Sequence, residues 1–203
     1  IAFAVMLLRH LPATAAETRD GAWQARVGRQ LSERTVGIVG CGHVGQDLAQ
    51  LLRAFGCRVL AYDIRDFPEF YARHGVEPAG LEKLLRAADV VTLHLPLDET
   101  TRNLLSAERL ALMRADAVLI NTARGGIVDE AALKARLKDG RLAGAAFDVF
   151  TTEPPEDAEL LRLPNFLATP HIGGSAEEAI LAMGRAAIAG LDAAGDPLEV
   201  AQP

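Results

Sequence analysis

Cysteine is nearly absent from this sequence, with only Cys41 and Cys57 among 203 residues. Two thiols exclude a disulfide framework and a four-cysteine zinc site. Long apolar runs are missing too, and without 18 consecutive apolar residues no membrane-spanning helix is expected. Positive charge is in deficit: 21 Lys+Arg stand against 27 Asp+Glu, a formal charge of −6. Proteins that grip nucleic-acid phosphates usually show a basic face, so no nucleic-acid partner is expected. The five histidines are scattered without ligand spacing, which argues against a metal site. Low-complexity tracts, internal repeats and linkers are likewise missing, so the whole of 1–203 reads as one domain. Half of the residues are hydrophobic and 24% are charged, the usage of an ordinary globular protein of a reducing, cytoplasmic compartment.

The first ten residues, IAFAVMLLRH, resemble a secretory apolar segment but lack the basic stretch before it. They read as a buried or interface helix. The pattern opens abruptly in mid-element, so a piece of a longer polypeptide is expected. At the other end Gly195-Asp196-Pro197 should stop a long helix, and 200–203 should trail off without structure.

Between these ends, apolar runs of strand length alternate with helical patterns. Strands are expected over 35–39, 58–62, 90–93, 118–121, 143–147 and 166–169, several of them apolar on both faces. Helices are expected over 44–55, 81–87, 107–113 and 130–138. Asp129 should cap the fourth of these and Gly140 should end it. Ser175-Ala176-Glu177-Glu178 has capping-box spacing for a last helix running to about Asp192. This alternation predicts an α/β fold: a doubly wound parallel sheet of Rossmann type, in three α/β/α layers, with ligands at the carboxyl ends of the strands.

Gly40-Cys41-Gly42-His43-Val44-Gly45 reads GxGxxG directly after the first of these strands and opens a helix. Gly40 permits the sharp turn, Gly42 lets the backbone approach a pyrophosphate, and Gly45 lets the helix pack on the strand. Asp63 ends the next strand, 18 residues past Gly45. A carboxylate there accepts ribose hydroxyls and repels a 2′-phosphate, which favours NAD over NADP, although Arg65 nearby is placed to reach such a phosphate. Three polar clusters follow later strands: Asn121 to Glu130 with Arg124, Asp148 to Pro155 with Glu153, and Thr169 to Gly174 with His171. Arginine matches a carboxylate with its planar fork, histidine trades a proton near neutral pH, and a glutamate beside it favours the imidazolium. Singly each has a plain reading: Arg124 paired with Asp129, Glu153 a solvated loop acid, His171 a loop histidine. Together with a dinucleotide turn they point to catalysis. His43 should contribute backbone to the turn, and His94 should line the adenine side.

These segments, with Val36 to Gly45 and His94-Leu95-Pro96-Leu97 plus Thr101, closely resemble the NAD-binding domain of the D-isomer-specific 2-hydroxyacid dehydrogenases. The resemblance spans nearly the whole chain. It implies a catalytic trio of Arg124, Glu153 and His171, in which arginine holds the substrate carboxylate, histidine exchanges the hydroxyl proton, and glutamate supports the histidine. It implies cofactor contacts from Gly40, Gly42, His43, Val44 and Gly45 at the phosphates and from Asp63 at the adenine ribose. Leu95, Pro96 and Thr101 follow on the third long strand. Thr122, Ala123, Arg124 and Asp148 fall on the nicotinamide side, with Gly173 and Gly174 beside His171. In that family the cofactor domain is inserted into a smaller substrate domain, so about 100 residues are expected ahead of Ile1. The family also dimerises through this domain, partly by the helix that the first 15 residues resemble. Departures are small: Cys41 and His43 occupy variable turn positions, and Asp98-Glu99 replaces a more usual Thr-Pro. Two relatives by layout stay open, an NAD-sensing co-repressor module that keeps the trio and a formate dehydrogenase with glutamine at the place of Glu153.

Overall fold

The computed structural model describes residues 1–193, in two compact units: Ile1–Pro170, and a second from His171 onward. The expected helix stop at Gly195-Asp196-Pro197 and the tail 200–203 lie outside the described residues.

The first unit is built on one seven-stranded sheet, with β1 Thr35–Val39, β2 Arg58–Tyr62, β3 Val76–Pro78, β4 Val90–Leu93, β5 Val118–Asn121, β6 Gly144–Phe147 and β7 Phe166–Ala168. Every pairing is parallel, in the order β3-β2-β1-β4-β5-β6-β7. Strand order reverses between β1 and β4, whose register sets Val39 beside Leu93. A crevice opens at such a switch point, beyond the carboxyl ends of the strands.

Helices α1 Ala2–Leu8, α2 Leu11–Arg19, α3 His43–Ala54, α4 Pro68–His74, α5 Leu81–Ala87, α6 Ala107–Leu110, α7 Glu130–Lys138 and α8 Ala158–Leu161 complete this unit. The core divides into two clusters. One gathers Ile38, Val59, Val90, Ile120 and Ala146 with α1, α3 and Tyr71 of α4. The other gathers Val39, Leu60, Val91, Leu119 and Phe147 with α5, α6 and α7. Successive strand residues thus alternate between two buried faces, which is why these strands are apolar throughout. A Cβ on Gly37 would lie 2.3 Å from Leu84, so glycine lets α5 rest against β1. The second unit holds α9 Glu177–Ala193.

Four of the expected strands match residue for residue, and the other two are trimmed by a residue at one end. Elements that sequence pattern left out are α2, α4, β3 and α8. Strand β3 is three residues ending in Pro78, too short to show a period. Helix α2 buries nothing, so it has no apolar face to read. The opening segment divides into two helices, because His10 sits in a left-handed conformation at φ 53°. Ala4, Leu7 and Leu8 of α1 are buried within this chain, in the cluster that includes Val118 and Ile120 of β5. The inner face of that helix is therefore covered by the chain's own sheet. Helix α6 stops at Leu110, three residues short of the expected end. In α9 the first intrahelical bond runs from Ile180 N–H to Ala176 O, one residue later than a Ser175 cap would give.

Candidate active site

The glycine turn leaves β1 at Gly40, whose φ of 99° only glycine adopts readily. A Cβ there would stand 2.4 Å from the carbonyl oxygen of His94, so the turn crosses the end of β4 at the switch point. A Cβ on Gly45 would come within 2.2 Å of the Gly40 oxygen, which makes glycine obligatory for seating α3. Gly42 differs: its nearest neighbour would be Arg65 Nη2 at 3.9 Å, so this face of the turn lies open. His43 and Val44 begin α3 in solvent, with free N–H groups and the positive end of a 12-residue helix. Asp63 ties the turn to β2. Its Oδ2 accepts from Cys41 N–H at 2.7 Å and its Oδ1 from Arg65 N–H at 2.9 Å. A cavity of about 390 Å³ lies beyond β2, lined by Tyr62, Asp63, Arg65, Tyr71, Pro78 and Gly80. Burial pushes the Cys41 thiol and the Tyr71 hydroxyl upward from their ordinary values, so neither ionises near neutral pH.

Past β4, Leu95 is half-buried and Pro96 exposed. The Thr101 hydroxyl donates to Pro96 O at 2.7 Å and accepts from Asp98 N–H at 2.8 Å. Its oxygen shapes this loop, and any cofactor contact must share it with those two bonds. His94 lies at the switch point, where its carbonyl oxygen is the atom that a Cβ on Gly40 would meet. Burial pulls its ring down to about 4, and Nε2 lies 3.0 Å from Thr92 Oγ1.

The ends of β5 and β6 carry Arg124 and Glu153. Buried Asn121 shapes the first of these loops, its Oδ1 accepting from Ala123 N–H and its Nδ2 donating to Arg124 O at 2.9 Å. Thr122 is exposed and Ala123 buried, while the exposed Arg124 donates from Nη1 to Ala123 O. Asp148, 3% exposed, accepts from the Thr169 hydroxyl at 2.5 Å and so fastens β6 to the end of β7. Glu153 precedes a cis peptide to Pro154, and its Oε1 accepts from Phe150 N–H at 3.1 Å. Gly125 packs so tightly on the same loop that a Cβ would stand 1.9 Å from Phe150 O. Glu153 and the turn residue after Arg124 thereby meet neighbouring peptides on either side of Phe150. In the second unit, His171 has a left-handed φ of 54°, with exposed Gly173 and Gly174 following.

Asn121, Gly125, Glu130 and Tyr71 are site-building residues to which sequence reasoning gave no role. Asn121 had a readable signal: a strand-end Asn before a turn commonly hydrogen-bonds the backbone two residues on.

The residues fit a dinucleotide. A Cβ would fill the open face of Gly42, the helix N-terminus points outward there, and Asp63, just past β2, sets its carboxylate against the turn. Fold and site together define a dinucleotide-binding α/β domain of the oxidoreductase type. The model of the D-isomer specific 2-hydroxyacid dehydrogenase NAD binding domain matches residues 1–173, and the chain belongs to that family. It is 44% identical over 177 residues to D-3-phosphoglycerate dehydrogenase of Bacillus subtilis, covering 86% of this chain and 34% of that protein. Glycerate dehydrogenase of Methylorubrum extorquens is 43% identical over 173 residues, with 83% and 52% covered. The crystal structure of the NAD-complexed D-isomer specific 2-hydroxyacid dehydrogenase from Lactobacillus delbrueckii ssp. bulgaricus superposes with a TM-score of 0.82 at 32% identity, covering 88% of this chain and 60% of that one. The chain thus spans about a third of the B. subtilis phosphoglycerate dehydrogenase and about half of the glycerate dehydrogenase.

Proposed function

We propose that the protein containing this domain is an NAD-dependent dehydrogenase that interconverts a D-2-hydroxy acid and its 2-keto acid, with 3-phosphoglycerate the first substrate to test. The observation that carries this reading is that the Arg124 turn and Glu153 both pack on the backbone around Phe150, past the same strand ends that the glycine turn follows. Arg124 takes the substrate carboxylate. His171 accepts the hydroxyl proton during oxidation and returns it during reduction, and Glu153 stabilises the imidazolium. NAD, when bound, supplies the acceptor for the hydride that leaves C2. Gly40 to Gly45 and Asp63 hold its phosphates and adenine ribose, Leu95, Pro96 and Thr101 touch it from the loop after β4, and Thr122, Ala123 and Asp148 take the nicotinamide side, with Gly173 and Gly174 beside His171. Glu153 speaks against the formate type of reaction, where glutamine stands in its place.

The protein works in the cytoplasm as a homodimer built through this domain, with no nucleic-acid or membrane partner. Trp23 and Val27, 91% and 96% exposed on the extended strap after α2, support the dimer. No described helix is long and apolar enough to cross a membrane. Turnover of the full-length protein on a panel of 2-hydroxy and 2-keto acids tests the reaction. Replacing His171 by Ala should lower the rate about 10²–10⁴-fold while NADH affinity stays the same. A His171→Ala enzyme of undiminished rate would remove the histidine from the reaction.

A further inference from the structure

We propose that Glu130 is a positioning residue for the loop that carries Glu153, acting through the Phe150–Thr151 peptide. Glu130 opens α7, directly after its N-cap Asp129. It is not needed as the cap, because Asp129 Oδ1 already accepts from Ala132 N–H at 2.9 Å. Its carboxylate reaches across 21 residues of sequence instead. Oε1 accepts from Thr151 N–H at 2.9 Å and from the Thr151 hydroxyl at 2.8 Å.

Three restraints therefore meet on the two peptides that flank Phe150. Glu153 accepts the Phe150 N–H, Gly125 presses on the Phe150 carbonyl, and Glu130 takes the Thr151 N–H. Two consecutive peptides are thus held, one by Glu153 at its N–H and the next by Gly125 at its carbonyl and Glu130 at its N–H, which restrains the backbone on both sides of Phe150. The Arg124 turn and the Glu153 loop are then held together through this stretch of backbone. Further along the same loop, Lys134 of α7 pairs with Asp157 at 2.7 Å and with Glu159 at 3.2 Å. Helix α7 thus clasps the segment following β6 at two places, and Glu130 is the clasp nearer to Glu153. Hydrogen bonds to a charged acceptor are the stronger kind, and this carboxylate receives two.

The catalytic consequence rests on the reading of Glu153 given above; the brace itself does not. Two measurements separate them. In this chain, amide exchange of Thr151 should accelerate about tenfold in Glu130→Ala, return close to wild type in Glu130→Gln, whose amide oxygen still accepts both bonds, and rise less in Thr151→Val, which loses only the hydroxyl. In the full-length enzyme, Glu130→Ala should lower kcat about tenfold with the KM for NADH unchanged. Glu153→Gln should shift the reductive pH profile to more acidic values, because it removes the charge that favours the imidazolium; Glu130→Ala should move it the same way, and Glu130→Gln should restore both rate and profile. Unchanged Thr151 exchange in Glu130→Ala would overturn the brace. Faster exchange with kcat and profile intact, while Glu153→Gln moves them, would reduce Glu130 to a structural residue. A Glu153→Gln profile that does not move would instead refute the role of Glu153, and the catalytic consequence of the brace with it.

Discussion

In the proposed reading Asp63 performs two tasks with one carboxylate. Each oxygen already accepts one backbone N–H, from Cys41 and from Arg65, and each retains an acceptor site for a ribose hydroxyl. Asp63→Ala should therefore loosen the glycine turn as well as remove the ribose contact. A 10- to 100-fold weaker NADH affinity follows from bonds of about 1.5–3 kcal/mol. The Arg65 guanidinium lies over the Phe67 ring at 5.3 Å, near the open face of Gly42. NADP(H) should bind more weakly than NAD(H), and Arg65→Ala should widen that gap; calorimetric titration with both cofactors measures it, and equal affinities in the wild-type chain would refute the assignment of Asp63. His94 gives a second residue-scale outcome. Burial lowers its folded value to about 4, against about 6.5 for a free histidine, so the unfolded chain binds the extra proton first. Its contribution is complete above pH 6.5 and is lost as pH falls toward 4, at most about 3 kcal/mol in all. Urea midpoints between pH 7 and 4 should fall less steeply for His94→Asn than for wild type. Parallel slopes would exclude the ring as a source of acid sensitivity.

At the scale of elements, the amino ends of the strands are held by charge as the carboxyl ends are held by glycine. Asp89, 7% exposed at the start of β4, accepts from Thr35 N–H at 2.8 Å, while Arg29 and Arg114 approach its other oxygen at 3.8 and 3.7 Å. One carboxylate thus joins β4, the first residue of β1, the strap before β1 and the loop before β5. Removing it strands a backbone donor and takes one of two carboxylates from Arg29 and Arg114, which both still pair with Asp116. Asp89→Ala should cost about 2–3 kcal/mol and Asp89→Asn, which still accepts from Thr35, about half as much. Denaturant unfolding reads both, and a loss below 0.5 kcal/mol in Asp89→Ala would show that the cluster is only a solvated surface pair.

For the whole molecule, the ligand end and the strap are separate. Arg29 N–H bonds to Leu8 O and its guanidinium faces Asp89, so the strap runs past the amino ends of the strands, whereas the glycine turn, Arg124 and Glu153 follow their carboxyl ends. Trp23→Asp should therefore shift sedimentation from dimer toward monomer and leave NADH affinity unchanged. A wild-type chain that sediments as a monomer, or a Trp23→Asp chain that stays dimeric, would remove the strap from the interface.

Much of this molecule was legible in one dimension, because its largest signals are local. Strands buried on both faces must be apolar at every position, and a turn that brings a helix against its own strand must be glycine at Gly40 and Gly45. The spacing from Gly45 to Asp63 is the length of one helix and one strand. Short pieces such as β3, and α2 with no buried face, left no period to read, and neither did the division at His10. What only tertiary structure decided are contacts between residues far apart in sequence. Tyr71 meets Cys41, Asp89 gathers two arginines, and Gly125 and Glu130 meet the Phe150–Thr151 peptide. Each of these residues has an ordinary local role in its own segment, as helix aromatic, loop acid, turn glycine or first-turn glutamate. Propensity and periodicity sum over neighbours in sequence, whereas the parallel sheet brings β5 and β6 side by side only after a crossover. Which loops then share a peptide is fixed by that packing.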